Sequence, residues 1–320
     1  MSILITGAGG MVGSHMIDRF VDQGKGAEVV GTYYKPTIDL NDIRGKVVLK
    51  ECDVRYLGRV SEIIDAHKPN RIFHLAAQSY PTVSWERPQE TMEINATGTI
   101  NVFEAIKMVR RNDPGYNPVV VVACSSAEYG ASLTPENTPV VEDTTLLPLH
   151  PYGVSKVAQD LLSFQYWQSD GIRCIRARIF NTTGPRKVND VTADFTMRAV
   201  MLEKGRGEAL EVGNLETRRA ITDVRDLVTA LILLSEKGRW GEVYNISGEH
   251  VYRIADLVPM IEAEIGRKLE TRVNPKFLRP TDEPIIFGDS SRLKADTGWV
   301  QEYTLDQTVK DMIAYWRTKL

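Results

Sequence analysis

A doubly wound, parallel α/β sheet with a smaller C-terminal lobe is the architecture that three features of this sequence predict. An apolar run at residues 3–6 meets a glycine loop. A segment follows whose apolar residues Met11, Val12, Met16, Ile17, Phe20 and Val21 are spaced for one face of a helix. Short β-branched runs then alternate with helical patterns up to residue 179, and continuous runs of that kind mark strands covered on both faces. Beyond Phe180 the rhythm loosens into loops rich in Gly, Pro and Arg.

Each glycine of the first loop has its own task. Gly7 allows the tight turn, Gly10 lets backbone N–H groups approach a pyrophosphate, and Gly13 lets the helix pack against the strand. The helix N-terminus then faces the anion, with Met11 and Val12 in its first turn. Glycine turns also join strands to helices in domains that bind nothing. The strand before this loop and the helix after it favour a dinucleotide site of the Rossmann kind.

Further along, residues 27–33 read as a second strand and 46–50 as a third, ending at Cys52, Asp53 and Val54. Residues 56–67 carry a helical pattern. Residues 71–75 form a fourth strand that stops at Ala76 and Ala77. A long amphipathic segment covers about 88–111, and 118–124 is the plainest strand of the chain. A helix begins near Tyr152, and 172–179 is a sixth strand. Loops at 181–190, 204–220 and 274–284 are interleaved with helices near 191–203, 222–237 and 253–266 and a strand at 243–246. This predicts a dinucleotide-binding domain over 1–179, with 221–247 packing back on it, and a substrate-binding lobe over 180–320.

Composition narrows the function. A net charge of −3 argues against a generic nucleic-acid binder. Apolar content of 42% and charged content of 25% are ordinary for a globular protein. Cys52, Cys124 and Cys174 are odd in number and lack metal-ligand spacing, so neither a disulfide framework nor a metal site is expected. No apolar run approaches membrane-spanning length, and the chain opens on a strand, so a cytoplasmic protein without a membrane partner is expected.

The chemistry converges on one end of the sheet. Ser125 and Ser126 follow the fifth strand and so lie at its carboxyl end, where open α/β sheets bind ligands. Tyr152 and Lys156 are four apart at the start of a helix and share a face. A nearby ammonium would stabilise a phenolate and bring the tyrosine towards the range of a working acid or base. Such a pair also occurs by chance on many helices. Its company with the glycine loop gives it weight.

Thr6-Gly7-x-x-Gly10-x-x-Gly13, His74-Leu75-Ala76-Ala77, Asn95, Ser125-Ser126 and Tyr152-x-x-x-Lys156 resemble the extended short-chain dehydrogenase/reductases, in their nucleotide-sugar branch. The resemblance covers nearly the whole chain. The stretches 180–185 and 212–215, Arg219, and 278–282 are similar to those of the GDP-mannose 4,6-dehydratases and the related 4-keto-6-deoxymannose reductases.

The resemblance implies that Tyr152 exchanges the proton at the sugar C4 oxygen. Lys156 would hold the nicotinamide ribose, and Ser125 would share the oxygen. It further implies that Asp53 and Val54 border the adenine, that Leu75, Ala76 and Ala77 line the cofactor channel, and that Ser126, Asn181, Arg186, Arg219 and Arg279 reach the substrate. A homodimer built on helices 88–111 and 151–169 also follows from it. The end of the second strand, from Tyr33 to Lys35, has a lysine and no carboxylate. A ribose 2′-phosphate would suit it, which favours NADP(H), with NAD(H) possible.

Several of these residues have structural readings as well. Asp53 could cap the helix near Tyr56, Arg219 could be a solvated surface residue, and Asn181 could shape a turn. His74 and His150 read as packing or loop histidines.

One departure matters. In the dehydratases the loop after the fifth strand resembles Thr-Ser-Glu-x-Tyr-Gly, whose glutamate works on the hydrogens of C5 and C6. Here Ala127 occupies that position and Glu128 the next. A one-residue shift at a strand end turns the side chain to the other face. The leading expectation is therefore reduction of the 4-keto group of a nucleotide-linked sugar, GDP-4-keto-6-deoxymannose before others. The alternatives are a GDP-mannose 4,6-dehydratase that uses Glu128, a C4 epimerase or dehydrogenase, and a catalytically silent dinucleotide sensor.

Overall fold

The computed structural model describes residues 2–278 and 283–320. Seven strands form the central sheet: β1 (Ile3–Thr6), β2 (Val29–Tyr33), β3 (Val48–Glu51), β4 (Arg71–His74), β5 (Val119–Ser125), β6 (Cys174–Ile179) and β7 (Val243–Ile246). Their order is β7-β6-β5-β4-β1-β2-β3, and all neighbours run parallel. The order reverses between β1 and β4, so the crevice at their carboxyl ends is the topological switch point where such sheets take ligands.

Both faces of the inner strands are buried, which is why they read as continuous apolar runs, while the edge strand β3 is largely exposed. On one face Ile3, Ile5, Phe73, Val121 and Ile175 pack on α1 (Met11–Asp22), through Met16, Ile17 and Phe20, and on α6 (Val224–Lys237), through Leu227, Leu231 and Leu234. On the other face Leu4, Ile72, Val120 and Val122 meet α2 (Leu57–His67), α3 (Gly98–Asn112) and Tyr166 of α4 (Pro151–Asp170). Ile3 and Ile5 on one face and Leu4 on the other show the two-residue period of a strand.

A separate apolar cluster builds the smaller lobe from α5 (Val191–Glu203), α7 (Leu257–Ile265) and α8 (Leu305–Lys319), with Phe195, Leu202, Leu257, Ile261, Val309 and Ile313 at its centre. The loops expected there contain short strands. Leu210–Val212 pairs with Thr271–Val273, and Arg218–Ala220 lies between Val251–Arg253 and Ile285–Ile286. The amphipathic 88–111 segment is not one regular helix: Pro88–Met92 runs into a π-helical turn at Glu93–Thr97 before α3. Helix α7 is shorter than expected because a 3₁₀ turn, Ile254–Asp256, precedes it. Among the described residues no helix is long and apolar enough to cross a membrane.

Candidate active site

Since β1, β4, β5 and β6 are parallel, the loops that follow them open on one edge of the sheet. The glycine loop is packed as its sequence requires. Gly7 is left-handed (φ +74°), and a Cβ there would lie 2.8 Å from the Ala76 nitrogen. At Gly13 a Cβ would stand 2.5 Å from the Gly7 carbonyl oxygen. At Gly10 a Cβ would meet nothing nearer than the Gly7 oxygen at 3.4 Å, so that face stays open. No side chain caps α1. The open glycine face and the uncapped first-turn N–H groups fit a pyrophosphate, and therefore a dinucleotide. Gly9, which sequence reasoning passed over, accepts the N–H groups of Thr37 (2.9 Å) and Ile38 (3.3 Å) and so folds the loop after β2 onto the cradle.

At the far end of the cradle stand Tyr33, Lys35, Asp53 and Val54. Lys35 is exposed, in a left-handed conformation (φ +47°), with its ammonium 5.3 Å over the Tyr34 ring. The Asp53 carboxylate does not cap α2. It accepts the Arg55 backbone N–H (3.0 Å) and grips the Arg55 guanidinium (2.6 Å). Burial works against its charge, but the bonds from Arg55 prevail and hold its pKa below the ordinary value. Val54 packs on Gly98, where a Cβ would lie 2.7 Å from its side chain. The N–H groups of Leu75 and Ala76 are held by Thr6 Oγ1 at 3.1 and 3.2 Å, and Ala77 continues the same loop.

Ser125, Tyr152 and Lys156 come together at the carboxyl end of β5. Ser125 hydrogen-bonds Tyr152, and the Lys156 Nζ lies 5.8 Å from the centre of the tyrosine ring. Gly153 makes this approach possible, because a Cβ there would sit 2.6 Å from the Ala127 carbonyl oxygen. Ser126 is buried in the 3₁₀ turn that follows Ser125.

The ammonium does not lower the tyrosine pKa in the way the sequence suggests. Burial pushes Tyr152 up to about 12, against a lowering contribution from the Ser125 hydrogen bond, and brings Lys156 down to about 8. The reason is geometric: the Lys156 Nζ donates to the Ala123 carbonyl (2.7 Å) and to Gln159 Oε1 (2.6 Å). Tyr152 is therefore a phenol at neutral pH, poised to give a proton.

Ala127 holds the position expected of a glutamate, and Glu128 turns inward. It is fully buried, with Oε1 accepting the Ser125 N–H (2.8 Å) and Oε2 accepting from Arg178 Nε (3.1 Å). Burial and the neighbouring Asp160 raise its pKa well above the carboxylate range. Asp160 stays charged, because Arg178 and Arg176 outweigh its own burial. Cys124, Glu128 and Asp160 place potential metal-ligand atoms within 4.8 Å of one another. Arg176 and Arg178 already take the Asp160 carboxylate and Arg178 also bonds the neutral Glu128, so arginines bridge this cluster.

The substrate-side residues fare differently. Asn181 gives its carbonyl to the Thr222 N–H (2.9 Å), while its buried Oδ1 has no partner among the described residues. Arg219 is buried, not solvated, and donates to the Arg218 and Glu283 carbonyls at 2.8 Å each. The placement of Arg186 departs from the substrate role expected of it. Its guanidinium is taken by Asp18 (2.6 Å) and Asp42 (3.7 Å), and its neighbour Pro185 bonds His15 of α1. Two carboxylates on the dinucleotide side hold it, so it clamps the two parts of the chain together. Arg279 lies outside the described residues. His74 is a packed histidine, as its sequence setting suggests, and His150 caps α4 by accepting the Gly153 N–H (3.0 Å).

A glycine cradle at the switch point and a Ser–Tyr–Lys cluster at the end of β5 thus open on one edge of the sheet. The family model described as GDP-mannose 4,6 dehydratase matches residues 4–312. The chain belongs to this family. It is therefore an extended short-chain dehydrogenase/reductase, an enzyme of the nucleotide-sugar branch.

Within that branch it is 29% identical over 254 residues to the GDP-6-deoxy-D-mannose reductase of Pseudomonas aeruginosa, covering 79% of this chain and 82% of the relative. It is 26% identical to the GDP-mannose 4,6-dehydratase of Vibrio cholerae, over 97% of this chain and 92% of that one. Among solved structures, RMD from Pseudomonas aeruginosa complexed with NADPH shares the fold, with a TM-score of 0.86, 24% identity and full coverage of both chains. The Thermus thermophilus UDP-glucose 4-epimerase complexed with NAD has a TM-score of 0.88 at 25% identity, again with full coverage of both chains.

Proposed function

We propose that the protein reduces the 4-keto group of GDP-4-keto-6-deoxymannose with NADPH. The observation that carries this reading is the pair Ala127 and Glu128: the position from which dehydratases work on C5 and C6 has no ionisable group, and the adjacent carboxyl is locked under Ser125. Reduction needs less. When bound, the reduced nicotinamide supplies the hydride that goes to C4. Tyr152 gives its hydroxyl proton to the C4 oxygen, Ser125 holds that oxygen, and Lys156 would hold the nicotinamide ribose with its remaining ammonium proton. Asn181, whose buried Oδ1 has no partner among the described residues, would meet the sugar, and Arg219 its diphosphate.

Lys35, exposed at the end of β2 with no acid beside it in sequence, supports NADP(H) over NAD(H). The alternation of exposed Val154, Leu161 and Phe164 along α4, with Met108 on α3, supports a homodimer through these helices. Three buried free cysteines suit a reducing, cytoplasmic compartment.

The deciding experiment follows product masses. The protein is given GDP-4-keto-6-deoxymannose with NADPH, and separately GDP-mannose with NADP+. A two-dalton gain in the first arm supports reduction, and a change of configuration without a change of mass would favour an epimerase. Cofactor titrations should show tighter binding of NADPH than of NADH, and light scattering should give twice the chain mass.

A further inference from the structure

Behind Lys156 a buried chain of side chains runs back to the glycine loop, and its hydrogen-bond directions follow from one fixed point. The Thr99 hydroxyl lies 2.6 Å from the Asn95 carbonyl oxygen, which can only accept, so its single proton goes there. Gln159 Nε2 at 2.8 Å and His74 Nε2 at 3.1 Å must then both donate to Thr99 Oγ1. His74 is thereby the Nε2–H tautomer, and its Nδ1 accepts from Thr6 Oγ1 at 2.9 Å. Thr6 in turn accepts the N–H groups of Leu75 and Ala76, beside the glycine loop.

At the other end, the Gln159 amide nitrogen faces Thr99, so its oxygen faces Lys156 and accepts Nζ at 2.6 Å. The reverse orientation would set an amide N–H against an ammonium. The Ala123 carbonyl takes a second ammonium proton. Two of three protons are thus committed, and the third is left for the site. Thr6, His74, Thr99, Lys156 and Gln159 are all buried, and every group in the chain has a single assignment, the condition under which such a network is rigid.

We propose that Gln159 is a positioning residue for Lys156, oriented by Thr99 and His74 and tied through Thr6 to the loop that cradles the cofactor phosphates. This rests on the reading of Tyr152 and Lys156 as the acid–base pair. The groups around the ammonium explain why an amide oxygen is needed. Cys124 from β5 and Glu128 from the turn after it are both held protonated by burial, and His74 from β4 is neutral. Tyr152 on its own helix is a phenol, and Asp160, one turn further on, is spent on Arg176 and Arg178. Among the described residues no anion is free to balance Lys156, whose burial favours the neutral amine. The Gln159 and Ala123 oxygens keep it charged and aimed.

The test titrates Lys156 directly in protein labelled with ¹³C at the lysine Cε, the resonance being assigned by its loss in Lys156→Met. Gln159→Leu removes an acceptor from the charged form, so the midpoint should fall. Gln159→Glu adds an opposite charge, so it should rise by about one unit or more. The alkaline limb of kcat should move the same way in each variant. Thr99→Val, which frees the Gln159 amide, should shift the midpoint downward by less than Gln159→Leu. An unmoved midpoint, or a shift of the same sign in the Leu and Glu variants, would overturn the proposal. Should the Leu variant not fold, a midpoint in Gln159→Glu that fails to rise does so alone. The titration needs no substrate, so a failure to turn over the GDP-sugar would count against the proposed reaction without touching this result.

Discussion

Glu128 lies beneath Ser125 and not beside it: the Ser125 N–H donates to Glu128 Oε1 at 2.8 Å, while Ser125 Oγ accepts the Ala127 N–H at 3.2 Å. The two residues close a capping box on the turn that follows β5. Because Glu128 is held protonated against Asp160, a glutamine keeps the oxygen that accepts the Ser125 N–H and a donor towards Asp160; it gives up only the bond from Arg178 Nε, which Asp160 Oδ2 still accepts at 2.8 Å. We expect Glu128→Gln to keep turnover within a few-fold of wild type. Glu128→Ala strips a partner from a buried N–H and from Arg178, and should lose about 1–3 kcal/mol of stability. Denaturant unfolding and steady-state rates check both, and abolished turnover in a fully folded Gln variant would contradict the capping role.

On the proposed mechanism Tyr152→Phe removes the hydroxyl that gives up the proton and leaves the cradle at Gly7, Gly10 and Gly13 untouched. We expect kcat to fall by roughly 10²–10⁴-fold, with cofactor affinity nearly unchanged. A variant that retains more than about a tenth of the activity would remove Tyr152 from the mechanism.

His74 sets a pH limit on the fold. Burial, with Lys156 adding a smaller contribution, lowers its pKa to about 3, whereas in the unfolded chain it titrates near 6.5. Below 6.5 the unfolded state binds a proton that the native state refuses, so stability is lost as pH falls through 6.5 and continues to fall towards 3. At pH 5 this loss amounts to about 2 kcal/mol. His74→Gln should flatten that part of the stability curve, measured by urea unfolding across acidic pH. An unchanged slope would show that other groups carry the acid lability.

The strands of the sheet are legible because burial on both faces leaves the same apolar mark at every position from 119 to 122 and from 174 to 177, Arg176 excepted. The short strands of the smaller lobe are not. Arg218–Ala220 has three residues and finds partners at 251–253 and 285–286, which nothing local announces. Helix α8 is another matter, since Leu305, Val309, Met312 and Ile313 carry a helical period that sequence reading passed over. Of the site, the Ser125, Tyr152 and Lys156 cluster follows from the strand ends. Arg186 does not, because an arginine near a predicted site says nothing of Asp18, 168 positions away, that claims it. The chain from Thr6 to Gln159 was likewise invisible, being joined across sheet, helix and loop.

The last expectation concerns a reaction that should not occur. Given GDP-mannose and oxidised cofactor, the protein should not release a 4-keto-6-deoxy product at a useful rate. Dehydration needs a proton taken from C5 and the C6 hydroxyl expelled, and a group able to exchange protons must face those carbons. Ala127 cannot, and Glu128 is held by Ser125 and Arg178 in a buried pocket that excludes it from the site. An absent general base costs about 10²–10⁴ in rate. Ala127→Glu restores a carboxyl to the turn without disturbing the capping box, since residue 127 is half-buried and contributes its N–H to that box and not its side chain. An eighteen-dalton loss from GDP-mannose that appears in this variant and is absent from wild type would tie the choice between reduction and dehydration to one side chain. Efficient dehydration by the wild-type protein would reject the reductase reading.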